Sequence, residues 1–262
     1  NMLSRVDSKR VNELKNFNNI SAPQNTVQIF ALNNNVELFN DIRVRKAINM
    51  ALDKDEIINS VMAGNGIKLE TNMSPVMKKY CIENLGEKQN IDEAKKILEE
   101  VGKNNFTFTI KVPSNYPMHV NTAQIIAEQL KAIGLKAEIE TIEWTTWLSD
   151  VYSGRKYEAT IVGLSGKLDP YSILRRYTSD YKNNFFNFSD EEYDMLIEEA
   201  KESTNDEIIV ANYKRAQEIL REKQAAIYIM DPELITSLDK KIKGFEYYPL
   251  PYINFSKMSI GE

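Results

Sequence analysis

Between positions 106 and 162 the chain alternates strand-like and helix-like segments joined by very short connections, which leaves few ways to fold it. Residues 106–112 alternate apolar and polar side chains as a strand does, and Pro113 ends the run. Residues 120–133 carry helical spacing and stop at Gly134, and 135–142 form the next strand. Residues 144–152 read as a helix, Gly154 breaks it, and 157–162 are strand again. Parallel strands need a crossover helix, and crossovers within one sheet are right-handed. The segment therefore points to an α/β fold with a mixed, mostly parallel sheet flanked by helices.

The flanking sequence fits that frame. Residues 7–17 place Val6, Val11, Leu14 and Phe17 at helical intervals behind Asp7 or Ser8. Thr26–Leu32 reads as a strand, and 39–52 as a helix that starts near Asn40 or Asp41. Asp53 caps a helix over Lys54–Met62, which Gly64 and Gly66 end, and 92–101 is an amphipathic helix stopped by Gly102. Asp169 and Pro170 open a short helix over 170–177, and longer helices cover 190–203 and 206–223. Residues 226–230 and 235–238 read as two strands, followed by an extended aromatic tail over 245–260 containing Tyr247, Tyr248, Pro249 and Pro251.

Charge and composition exclude several classes. A net charge of −5 with no basic block argues against nucleic acid as a partner. Cys81 is the only cysteine, so no intrachain disulfide or thiol-rich metal site is expected. His119 is the only histidine, so any Ser-His-Asp or Cys-His arrangement has to use it. It stands at a helix start, where a solvated residue is expected. Acidic pairs such as Glu99/Glu100 and Glu198/Glu199 fall on polar helix faces. No catalytic group, cofactor or metal site is expected. There is no membrane-span-length apolar run and no leader at the first residues, which taken alone reads as cytoplasmic.

Open α/β sheets bind ligands outside the carboxyl ends of their strands. Two loops occupy such positions: Trp144 and Trp147 after the strand ending at Ile142, and Gly163, Leu164, Ser165, Gly166 and Lys167 after the strand ending at Val162. The first pair reads either as a ligand platform or as the core face of a helix. The second reads either as a ligand loop, with glycines letting amides approach and Ser165 and Lys167 as donors, or as a turn plus helix cap. A hydrolase using Ser165 and Lys167 is a remote alternative, with no oxyanion motif beside it. A purely structural interaction domain is another.

Several segments, in order, resemble the peptide- and nickel-binding class (family 5) of ABC-importer solute-binding proteins. The most specific is Leu32-Asn33-Asn34, then Leu38-Phe39-Asn40-Asp41-Ile42-Arg43-Val44-Arg45-Lys46-Ala47-Ile48, then Ala51-Leu52-Asp53-Lys54. The helix from Asp92 to Gly102, the run Gln129-Leu130-Lys131-Ala132-Ile133-Gly134 through Glu143-Trp144, Tyr157-Glu158-Ala159 through Asp169-Pro170, and Tyr193-Asp194-Met195-Leu196-Ile197 are similar to the family's further motifs.

The resemblance implies a type II periplasmic-binding-protein lobe: residues 33–225 form the second lobe, and 1–32 and 226–262 belong to the hinge and the first. It implies no enzyme activity and no cofactor. It also implies capture of an oligopeptide or related small solute in a cleft closed against an N-terminal lobe, with a nickel chelate or other non-peptide solute as the alternative. Permease subunits would be the membrane partners. The whole protein would be extracytoplasmic, in the periplasm or lipid-anchored to the outer face of the membrane. The ligand set it implies adds Asn184 and Asn187, from the Asn-rich stretch, to the two loops. One departure stands out. Peptide-binding members carry a Trp after the loop's first Gly and an Asp that pairs with the peptide's amino terminus. Here Leu164 replaces the Trp, and Gly166 or Lys167 falls where the Asp would be. An anionic or polar ligand, or a metal chelate, is therefore expected over a zwitterionic dipeptide.

Overall fold

The computed structural model describes residues 1–250 and 252–261. Strands β1 (Met2–Ser4) and β2 (Phe17–Pro23) lead through a Gln24–Asn25 turn into β3 (Thr26–Leu32). Helices α1 (Ile42–Met50) and α2 (Lys54–Met62), strand β4 (Gly66–Lys68) and helix α3 (Ile91–Glu100) follow. Next come β5 (Thr107–Pro113), α4 (Pro117–Lys131), β6 (Lys136–Ile142) and α5 (Trp144–Thr146), which continues as a π-helix over Trp147–Ser153. The rest is β7 (Ala159–Ser165), α6 (Pro170–Leu174), α7 (Glu191–Glu202), α8 (Asp206–Glu222), β8 (Ile227–Asp239), β9 (Ile242–Lys243) and β10 (Ser259–Ile260). The helix starts obey local chemistry. Asp41, Asp53, Asn90, Asp169, Asp190 and Asn205 each accept a backbone N–H of the first turn, which satisfies donors that a helix leaves open.

The main sheet runs β1-β8-β3-β7-β5-β6, with β2 and β4 also paired to β8. β5 pairs in parallel with both β6 and β7, and α4 makes the β5-to-β6 crossover. These are the strands legible in the sequence, and their direction is as expected. The pairings of β3 with β7 and β8, and of β8 with β1, β2 and β4, are antiparallel. The sheet is thus mixed, with its parallel part confined to the β7-β5-β6 side. The antiparallel side begins at β3, which runs against both β7 and β8.

β3 is buried on both faces from Val27 to Leu32, and its side chains alternate between two cores. Phe30 and Leu32 join Phe108, Ile110, Ile161 and Ile229 under α1, α2 and α4. Val27, Ile29 and Ala31 face the opposite side, with Trp147, Phe185, Phe186, Tyr193, Tyr213 and Tyr228 under α7 and α8. The Arg45 guanidinium is buried between them and the α8 end. It donates to the carbonyls of Phe39, Asn40, Lys223 and Gln224 at 2.6–3.2 Å. Burial holds its pKa down at about 10.

Two local expectations fail. Residues 7–17 form only a 3-10 turn at Val11–Glu13, because Phe17 starts a strand whose backbone is taken up by β8. Residues 226–238 form one strand rather than two. Pro232, which has no N–H to give, falls where β8 exchanges its β3 and β4 partners for β2. The tail is mostly irregular, with β10 paired to β9, and its Pro251 lies outside the described residues.

Candidate functional site

The three parallel strands end on one side, and the loops after β5 and β6 touch. Tyr116, three residues past β5, is 39% exposed, and its ring meets the Trp144 ring edge-on at 5.4 Å. Trp144, two residues past β6, is half-buried and stacks on Trp147 at 5.1 Å with the planes 3° apart. β7 contributes Gly163, Leu164 and Ser165, and runs on into Gly166 and Lys167.

His119 joins these loops from behind, and the expectation that it is solvated is wrong. It is 3% exposed. β7 pairs with β5 only through Ala159 and Thr160, so further along the strand the Gly163 N–H is left without a β5 acceptor. His119 Nε2 accepts that N–H at 2.9 Å, and Nδ1 lies 2.9 Å from the Gln28 amide. A neutral imidazole carries one proton, so Nδ1 is the protonated nitrogen and the Gln28 amide oxygen must face it. Thr122 lies within hydrogen-bonding distance of the same amide, at 3.1 Å. Burial pushes the His119 pKa down to about 4. Space at Gly163 is tight, since a Cβ would sit 3.3 Å from both His119 Cε1 and Thr26 Cγ2 and would press on both.

The end of the loop is tied to the β2–β3 turn. The Gly166 N–H donates to the Asn25 carbonyl at 2.6 Å, and Asn25 Nδ2 donates to the Lys167 carbonyl at 3.4 Å. The Arg176 guanidinium donates to the Ser165 carbonyl at 2.9 Å. On the other side of the turn the buried Asp231 carboxylate, from β8, accepts the backbone N–H groups of Gln24, Asn25 and Thr26, each at 3.1 Å. Its burial pushes the pKa up to about 6 against those bonds, which favour the charged form. Lys167 is exposed and has no carboxylate within ion-pair distance among the described residues. The Ser165 hydroxyl makes no hydrogen bond to it among the described residues, so the pair shows no nucleophile–base geometry.

Two expected contact residues serve the interior instead, and a third, half-buried, ties loops together. Trp147 is 2% exposed and its indole N–H donates to Thr160 Oγ1 at 2.9 Å, so it backs Trp144 from the core. Asn184 is 3% exposed and donates to the carbonyls of Tyr177, Thr178 and Phe188, which closes its own loop. Asn187, at φ 55°, bridges Asn33 Oδ1 at 2.7 Å and Arg155 at 2.8 Å. Short polar side chains fill such left-handed loop positions for structural reasons. Trp144 meets Tyr116, Tyr116 lies 5.4 Å from His119, and His119 accepts the Gly163 N–H, which is the link between the two loops. Tyr116 was missed, although it follows a parallel strand by the same rule that selected the other two loops. Among the described residues no group of three His, Cys, Asp or Glu side chains is placed to hold a metal, and no helix is long and apolar enough to cross a membrane.

A helix-flanked α/β sheet leaves a crevice outside the carboxyl ends of its parallel strands. Residues 3–185 match the family described as bacterial extracellular solute-binding proteins, family 5 middle, and the chain belongs to that family. It is 25% identical over 266 residues to a dipeptide-binding protein of Escherichia coli, covering 97% of this chain and 49% of the relative. It is 28% identical over 243 residues to heme-binding protein A of Haemophilus influenzae, covering 89% of this chain and 44% of the relative. The crystal structure of a putative peptide binding protein AppA from Clostridium difficile superposes with a TM-score of 0.91 at 20% identity, over 99% of this chain and 56% of that one. The fold is therefore that of a type II periplasmic-binding-protein lobe. The chain spans about half the length of the curated relatives it matches.

Proposed function

We propose that this chain supplies one wall of a solute-binding cleft in the binding component of an ABC importer, and that it performs no bond chemistry. Tyr116, Trp144 and the segment 163–167 form the wall. The solute is a peptide-like or other small molecule bearing a carboxylate, held between this lobe and an N-terminal one. Closure about the two lobes gives the permease a form to read. In this reading the lobe runs from β3 to the first half of β8, and the crossings fall at Gln24–Asn25 and Asp231–Pro232 rather than at 32 and 226. The sharing of β8 between β3 and β2 supports that division. An extracytoplasmic, lipid-anchored location follows from the family's habit.

The observation that carries the ligand class is Lys167, an exposed cation with no ion-pair partner among the described residues, on the loop where a peptide's amino terminus would need an anion. A heme-binding relative supports a second reading, a non-peptide solute with carboxylate side groups. Calorimetric titration of Lys167→Asp against wild type tests the assignment. A Lys167→Asp chain that gains affinity for dipeptides and loses it for N-acylated, carboxylate-bearing analogues agrees with it. Tight dipeptide binding by the wild type contradicts it.

A further inference from the structure

We propose that Asn25 couples the loop 163–167 to the interlobe crossing, so that the position of the loop and the angle of the crossing bias each other. The inference rests on the reading of that loop as cleft wall and of Gln24–Asn25 as a crossing. Asn25 acts on a solute only through the loop, which makes it a positioning residue.

The pairing of β3 with β7 brings the two together. Their register sets Thr26 opposite Ser165, so Asn25 and Gly166 face each other where the strands end. The Gly166 N–H donates to the Asn25 carbonyl at 2.6 Å, and Asn25 Nδ2 donates to the Lys167 carbonyl at 3.4 Å. The approach needs a glycine. A Cβ at position 166 would overlap both the carbonyl oxygen and the side-chain amide oxygen of Asn25. The next two residues of the loop, Lys167 and Leu168, are exposed, so the tie to Asn25 is what holds its far end.

Asn25 is also where the chain turns. β2 ends at Pro23 and β3 starts at Thr26, and Asn25 between them takes a left-handed backbone with φ 55°. A swing of β2 against β3 is absorbed in the dihedrals of the two turn residues. Rotation there carries the Asn25 carbonyl with it, and the Gly166 N–H is bonded to that carbonyl. The turn is braced from its other side. Buried Asp231 accepts the N–H groups of Gln24, Asn25 and Thr26, each at 3.1 Å. It stands next to Pro232, where β8 passes from β4 to β2. The brace joins the two crossings, and Asn25 extends the joined unit to the loop. A solute that prefers one loop position therefore selects the crossing angle that goes with it, and by linkage the reverse holds.

Hydrogen exchange of single backbone amides, read by NMR on the 262-residue chain with N-acetylated dialanine as the solute, tests the coupling. Gly166→Ala forces the tie open, and the amides of Gln24, Asn25 and Thr26 should then exchange about tenfold faster while β5 and β6 keep their protection. A merely structural tie would not make the turn respond to solute. Saturating solute should slow exchange at these three amides in the wild type and leave it unchanged in Gly166→Ala. Asn25→Gly suits the left-handed backbone and keeps the carbonyl, so it serves where the alanine variant does not fold. It should weaken the solute by about fivefold. A wild type that binds the solute with no change at the turn, or an Asn25→Gly chain of undiminished affinity, overturns the proposal. A wild type that binds no N-acetylated dialanine counts against the wall reading, and the coupling is then decided by the first comparison. Turn amides that speed up in Gly166→Ala uphold it, and turn amides that do not change overturn it.

Discussion

Acidification should reveal the His119 bond to Gly163, but only against the right reference. The imidazole titrates at about 4 in the native state and near 6.5 unfolded. The unfolded chain therefore binds the proton first as the pH falls, so stability drops through that window and is unaffected above it. The difference of about 2.5 units at 1.36 kcal/mol per unit amounts to about 3 kcal/mol, fully lost below about pH 4. Asp231 acts in the opposite sense. Its carboxyl titrates at about 6 native and 3.8 unfolded, so the native state takes up that proton first, and falling pH stabilises by a similar ~3 kcal/mol. These two contributions largely offset each other in the wild-type curve. The reference is His119→Gln, whose amide oxygen reaches the place of Nε2 and accepts the Gly163 N–H without titrating. Urea unfolding followed by tryptophan fluorescence gives both stabilities from neutral pH downward, and Asp231 cancels in their difference. The wild type should lose about 3 kcal/mol relative to the variant between pH 6.5 and 4. A difference that stays constant across that range refutes a buried, neutral His119.

Arg45→Met leaves four carbonyls without their donor, so it should cost about 3 kcal/mol or more and lower the thermal midpoint; a change within experimental error would contradict that role. Acrylamide should quench the Trp147→Phe variant, which retains half-buried Trp144, more strongly than Trp144→Phe, which retains the buried indole; equal quenching would put both rings in one environment.

The sequence made the parallel part of the fold legible because its strands and helices are periodic and most of them end at a Gly or Pro, as at Pro113, Gly134, Gly154 and Gly163. The segment around Arg45 was recognisable as a motif, while its reason was not, since the carbonyls it binds come from α8 as well as from the preceding turn. The strand at Phe17 and the unbroken β8 were hidden because long-range pairing decides them against local periodicity. In the candidate site, the loops after β6 and β7 were visible by position. Whether a Trp or Asn there faces solvent depends on the second core. That is why Trp147 and Asn184 read as contacts and are found buried. His119 misled for the same reason: its partners Gln28 and Gly163 lie on β3 and β7, 91 and 44 positions away in sequence.

The most direct test of the central claim begins with native mass spectrometry of the protein from its own cells, to find the small molecule it carries. Backbone NMR shifts are then mapped as that molecule is added back. The account predicts a carboxylate-bearing solute whose shifts centre on Tyr116, Trp144 and the segment 163–167, and fall away in Lys167→Asp. Shifts centred on another face, with these loops unmoved, would contradict it.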